Sequence, residues 1–115
     1  MIIIAHAPHP VAHGMLAANL ARTAMTEGSC VRFDYDGKSR LVEVHAIGLG
    51  RKNNYLLRGV QVGGEASRPL PQWTLFDLSK VEAMFIADHI PSGAPRAGYS
   101  MGDKQMSPVL TEIQS

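Results

Sequence analysis

At 115 residues the chain has room for one modest core and no second domain. An apolar fraction of 45% with 18% charged residues excludes wholesale disorder, and a net charge of +1 excludes the uniform field that steers a strongly basic protein onto DNA. Cys30 is the lone cysteine, which excludes an intrachain disulfide and a thiolate metal cluster and fits a reducing, cytoplasmic setting.

The first nine residues, MIIIAHAPH, read as a leader. Their apolar start is too short for a signal-peptide core, and no run of about 18 apolar residues follows, so neither export nor a membrane span is expected. His6, His9 and His13 have a spacing that gathers a metal ion only on a regular helix, and Pro8 and Pro10 argue against one, so no metal or other cofactor is assigned.

From Pro10 to Glu27 an alanine-rich stretch carries Leu16, Leu20 and Ala24 four apart and stops at Gly28, which predicts a helix. The pattern then changes to strands. CVRFDY places Val31, Phe33 and Tyr35 opposite Arg32 and Asp34, DGKS is a hairpin signal, and RLVEVHAI returns with Val42, Val44 and Ala46 opposite Leu41, Glu43 and His45. After GLGRKN comes NYLLRGVQV, in which Gly59 marks a bend, a bulge or the close approach of another group. A proline-bearing loop leads to two short strands, WTLFDL and VEAMFI, split at Ser79-Lys80. One helix and five short strands predict a mainly β chain: a small, strongly bent Sm/SH3-like barrel over residues 10–86. Residues 87–115 carry little periodicity and read as an irregular tail whose PVLTEIQ segment docks as a short helix on a neighbour, if it docks at all.

The order of these fragments resembles the WYL domain, the ligand-sensing barrel of bacterial transcription regulators. The carrying residues are Ala24-Met25 to Gly28 at the helix end, Val31, Phe33 and Tyr35, then Arg40 and Val42 with His45 near the family's proline, Asn54-Tyr55-Leu56 at the name-giving motif, and Phe76-Asp77-Leu78-Ser79-Lys80-Val81. The resemblance covers about half the chain. It implies an anion-sensing role for Tyr55 and Lys80, with Asp77 and Lys80 departing from the family's arginines; lysine lacks the planar fork that guanidinium offers phosphate. The family's usual helix-turn-helix has no room ahead of the first strand, so a free-standing module is expected.

Arg51, Lys52 and Arg58 are added from their placement, because cations beside an aromatic ring suit a ligand with phosphate and base. Arg58 has two readings: a surface arginine paired with Glu43 or Asp34, or a group facing a ligand. Trp73, the only tryptophan, is either core or a base-stacking platform. No nucleophile beside a base can be assembled from the spacing, so no catalytic residue is assigned and an enzyme is not expected. The leading expectation is a binding module that holds single-stranded nucleic acid or a nucleotide on Arg40, Arg51, Lys52, Tyr55, Arg58 and Lys80. The alternative is a protein-interaction or oligomerisation subunit, of the kind a phage or mobile element encodes, docking through the barrel edge and the tail onto its own copy or another protein.

Overall fold

The computed structural model describes residues 10–114, with side chains from Gly14 onward. The leader and the three-histidine cluster lie outside the described residues. Helix α1 (Pro10–Glu27) is followed by β1 (Ser29–Tyr35), β2 (Lys38–Leu49), β3 (Tyr55–Gly64), β4 (Gln72–Asp77), a short 3-10 turn (Leu78–Lys80), β5 (Glu82–Pro91) and β6 (Val109–Glu112). The chain is mainly β, with one antiparallel sheet ordered β4-β3-β2-β1-β5 and β6 added on β2. Strands β4 and β5 stand at the two ends of that path, so the small bent barrel with its N-terminal helix is present but not closed.

The predicted hairpin forms where Asp36 and Gly37 both take positive φ, which pairs Phe33 with Arg40 and Val31 with Val42. Beyond it, β2 departs from simple alternation. Its pairing with β3 shifts register between Val44 and Ala46. This bulge adds one residue, so Val42, Val44 and Ile47 enter the apolar core while Ala46 leaves the face on which alternation had placed it. The bulge also marks a change of neighbour. Ahead of it Lys38–Val42 pair with β1, and after it Ala46, Ile47 and Gly48 pair with β6.

The core lies between α1 and the concave face of the sheet. Phe33, Phe76 and Tyr35 meet edge to face, with Phe76 5.0 Å from each of the other two, and Leu57, Leu78 and Val81 complete the floor. The helix presents Ala17, Ala18, Ala21, Ala24 and Met25 to this core, whereas Leu16 is 64% exposed and Leu20 38%. The fourfold leucine spacing therefore marked the outer stripe. Small residues face inward because the helix sits close against the barrel mouth, where a methyl at Gly14 would come within 3.5 Å of the Tyr55 ring and the Ser79 backbone. At Gly59 a side chain would meet the Glu43 carbonyl at 2.5 Å, so the close approach expected there is that of β2.

The tail is the largest departure from expectation. Strand β5 runs on to Pro91, residues 92–108 cross the convex face of the sheet, and 109–112 pair antiparallel with β2 as a strand rather than as a helix on a neighbouring molecule. The segment lacks an apolar rhythm because it is held by individual polar contacts and by the edge of β2.

Candidate functional site

The convex face of β2, β3 and β4 brings together residues that pair across the strands: Glu43 opposite Val60, Ala46 opposite Arg58, Gly48 opposite Leu56, and Val60 opposite Trp73. Bulging at residue 45 turns His45 onto the same side, where its ring lies 4.7 Å from Trp73 and 5.1 Å from Tyr99 of the tail.

Glu43 and His45 fasten the crossing segment. The Glu43 carboxylate is buried and accepts from the Gly93 N–H at 2.5 Å and from Arg96 Nε at 2.5 Å. Charge-assisted bonds of this kind offset the cost of burying the carboxylate. His45 is fully buried. Its Nε2 accepts from the Arg96 backbone N–H at 3.0 Å, which puts the ring proton on Nδ1, donating to the Glu43 carbonyl at 3.1 Å. Burial lowers the His45 pKa from its ordinary value, and Arg96 acts in the same direction against the opposing pull of Glu43, so the ring is neutral. Farther along, Tyr99 donates to Glu112 at 2.5 Å, and burial with that carboxylate raises the phenol pKa. Met106 fills the space above Gly48, where even a methyl would lie 2.8 Å from its sulfur.

Arg58 answers its two readings with a third partner. Its Nε donates to Asp103 Oδ2 at 2.7 Å, a pair in which the side chains are 23% and 9% exposed. Burial pushes the Asp103 carboxyl pKa upward, but the hydrogen bonds from Arg58 and the Gln105 N–H outweigh it and the net shift is downward. Neither Glu43 nor Asp34 is the partner.

Beside this pair the segment makes two depressions. The larger, about 810 Å3, is lined by Arg51, Lys52, Asn53 and Asn54 of the β2–β3 turn, by Leu56, and by Lys104 and Gln105 of the tail. It contains three cations and no carboxylate, and no ion pair involves these cations among the described residues. The smaller, about 230 Å3, is lined by Arg58, Trp73, Gly98, Tyr99, Ser100 and Asp103. Trp73 and Tyr99 stack there with centroids 5.9 Å apart and planes at 18°. Such an arrangement can attract phosphate in one depression and present an aromatic face in the other.

Of the six residues singled out in the sequence, Arg51 and Lys52 share the cationic cleft, and Arg58 lines the aromatic cavity beside it. Arg40 lies elsewhere: its guanidinium sits 5.8 Å from the Tyr35 ring centre and 5.9 Å from that of Phe76, donating to Gln61 Oε1 at 3.1 Å and to the Tyr35 carbonyl. It braces β1 against β3. Tyr55 turns to the helix side and lines a groove with Met15, Ala18, Asn19, Arg22, Ile47, Leu110 and Thr111; by strand alternation it is Leu56 that faces the cleft. Lys80 lies in a depression with Asp34, Asp36, Glu65 and Glu82, surroundings that favour cations over anions. Asp77 caps the 3-10 turn, accepting from the Ser79 N–H at 3.0 Å and its hydroxyl at 2.7 Å. Cys30 is fully buried beside Pro91, and burial, with Glu43 adding to it and Arg96 opposing it, pushes its thiol up to about 11, far from the thiolate of a nucleophilic cysteine.

Reading the sequence missed Lys104, Tyr99 and Asp103, all in the segment read as an irregular tail. The available signal was local: Gly-Tyr-Ser and Gly-Asp-Lys place an aromatic and charged groups at glycine turns, where loops carry function. No family model matches this chain, and none of the curated proteins or solved structures matches it either. Among the described residues no helix is long and apolar enough to cross a membrane.

Proposed function

We propose that the chain is a non-enzymatic, WYL-like binding module for an anionic ligand, single-stranded nucleic acid or a nucleotide, and that Arg51, Lys52 and Lys104 hold its phosphate. The observation that carries this reading is the cleft itself: three cations from two distant stretches of chain, walled by the amides of Asn53, Asn54 and Gln105 and free of carboxylates. Cations elsewhere in the fold support it by contrast. Arg58 and Arg96 pair with Asp103 and Glu43, and Lys80 is outnumbered by acidic neighbours.

Binding through such a cleft releases counterions, so affinity falls as salt rises, with a slope of log K against log salt near −0.7 for each phosphate contact on a single strand. Fluorescence polarisation of a labelled oligonucleotide at several salt concentrations measures that slope. The double variant Lys52→Ala/Lys104→Ala is expected to flatten it by about 1.4. A slope unchanged in the double variant removes the assignment.

A second reading, a protein-interaction subunit, is favoured by one observation. Met15, Leu16 and Leu20 on the outer stripe of α1 and Leu110 on β6 are each at least 38% exposed. With β6 engaged on its own sheet, this helix face replaces the tail as the docking surface. Molar mass by light scattering, compared between the natural chain and Leu16→Asp, tests it.

A further inference from the structure

The cationic cleft and the aromatic cavity are neighbours on one face. Leu56 lines the first and Arg58 the second, and these side chains lie two residues apart on the same side of β3, a separation of roughly 7 Å. Across from them the crossing segment repeats the division: Asp103 walls the aromatic cavity, and Lys104 and Gln105 wall the cleft.

The chemistry of the two halves differs. The cleft offers charge without aromatic surface. The cavity offers an indole that stacks with Tyr99 and meets the steeply inclined His45 ring, yet which remains 37% exposed. Buried partners fix the ring while part of its surface stays open, which is the condition of a stacking platform. The net charge in the cavity is small, because Arg58 is matched by Asp103. Its volume of about 230 Å3 is below the roughly 300–1,000 Å3 of sites that enclose drug-sized molecules, and is on the scale of one planar ring system. Hydrogen-bonding groups for the edge of such a ring line the same cavity in Ser100, Asp103 and Arg58.

We propose that Trp73, backed by Tyr99, is a base-stacking subsite, and that a single-stranded nucleic acid lies across residues 103–105 with its phosphates on Arg51, Lys52 and Lys104 and one base on the indole. This deepens the anion-binding reading and rests on it. A strand fits better than a free nucleotide because the phosphate groups and the base platform are in separate depressions on either side of the Asp103–Lys104 step.

The sole tryptophan provides the readout. A ten-nucleotide thymidine strand, an abasic strand of the same length and thymidine monophosphate are titrated while indole emission and polarisation are followed. The thymidine strand is expected to quench the emission and to bind roughly 5- to 100-fold more tightly than the abasic strand. Trp73→Ala should abolish that difference while leaving abasic binding and its salt slope intact. Trp73→Phe, which keeps a ring against His45 and Tyr99, should retain most of the preference if Trp73→Ala proves unfolded. Salt-dependent binding of both strands with equal affinity and unchanged emission overturns the stacking subsite but leaves the cationic cleft standing. No binding of either strand overturns both. Equal affinity and quenching by the monophosphate overturns the strand in favour of a nucleotide. A uridine strand in parallel separates RNA from DNA as the source of the base.

Discussion

On the concave side of β2 and β3, Val42, Val44, Ile47 and Leu57 pack against the alanines of α1 and the Phe33–Phe76 pair; on the convex side, a segment covers Glu43 and Arg58 through hydrogen bonds and one ion pair each, and His45 through a hydrogen bond and the Tyr99 ring. Both sides are buried, but they are buried by different means. The concave side gains from apolar area and shape, which no change of pH or salt undoes. The convex side gains from directional bonds among titratable groups, whose worth depends on their protonation and geometry. One sheet therefore has a permanent face and a conditional one, and the two depressions that Arg51, Lys52, Arg58 and Lys104 line are walled by the segment that covers the conditional face.

The largest expected effect breaks the permanent side. Phe33→Ala removes a fully buried ring from the aromatic trio and is expected to cost about 3–5 kcal/mol in urea unfolding, lowering stability everywhere at once. Next, Glu43→Ala deletes the acceptor for Gly93 and Arg96. It should cost about 2–3 kcal/mol, with amide exchange accelerating first at Gly93 and Arg96 while β1 and β3 amides keep their protection.

Acid acts on the same contacts. His45 has a lowered pKa in the fold, so the unfolded chain binds its proton at higher pH than the folded chain does. The stability contributed by the neutral ring is complete above the ordinary histidine value of about 6.5 and is lost as pH falls below it. The groups facing this ring are Glu43 of β2, Trp73 of β4, and Arg96 and Tyr99 of the crossing segment; protonation of Nε2 turns it from acceptor to donor against the Arg96 N–H. Trp73 emission, followed between pH 7.5 and 5, should change before far-UV circular dichroism does. His45→Gln, which carries an acceptor that does not titrate in this range, should remove that early step. The smallest effect sharpens the contrast: Leu16→Ser, on the exposed stripe of α1, is expected to shift stability by less than about 0.5 kcal/mol.

Sequence reasoning recovered the parts that local rules govern. The helix limits, the Asp36-Gly37 hairpin, the third strand and the close approach at Gly59 follow from periodicity and turn chemistry. The bulge at His45 was not legible, because alternation through Val42, Val44 and Ala46 is as regular as any strand and the extra residue is selected by what β3 and β6 require. The crossing segment was legible least. Its anchors join residues far apart in the chain, Glu43 to Gly93 and Arg58 to Asp103, and a 17-residue stretch held at such points shows no period to detect. The same reason divides the candidate site: Arg51 and Lys52 stand out in a turn beside a strand, whereas Lys104 becomes their neighbour only after the segment has folded back.

Strand β2 is hydrogen-bonded to β1, β3 and β6, and the last of these arrives some sixty residues after β2 has been synthesised. Until then the backbone of Ala46, Ile47 and Gly48 is an open edge on an otherwise assembled sheet. A nascent chain arrested before residue 109 should thus be a competent template for pairing with a foreign strand, which gives the interval between synthesis of β5 and of β6 the character of a window in which misassembly competes with completion.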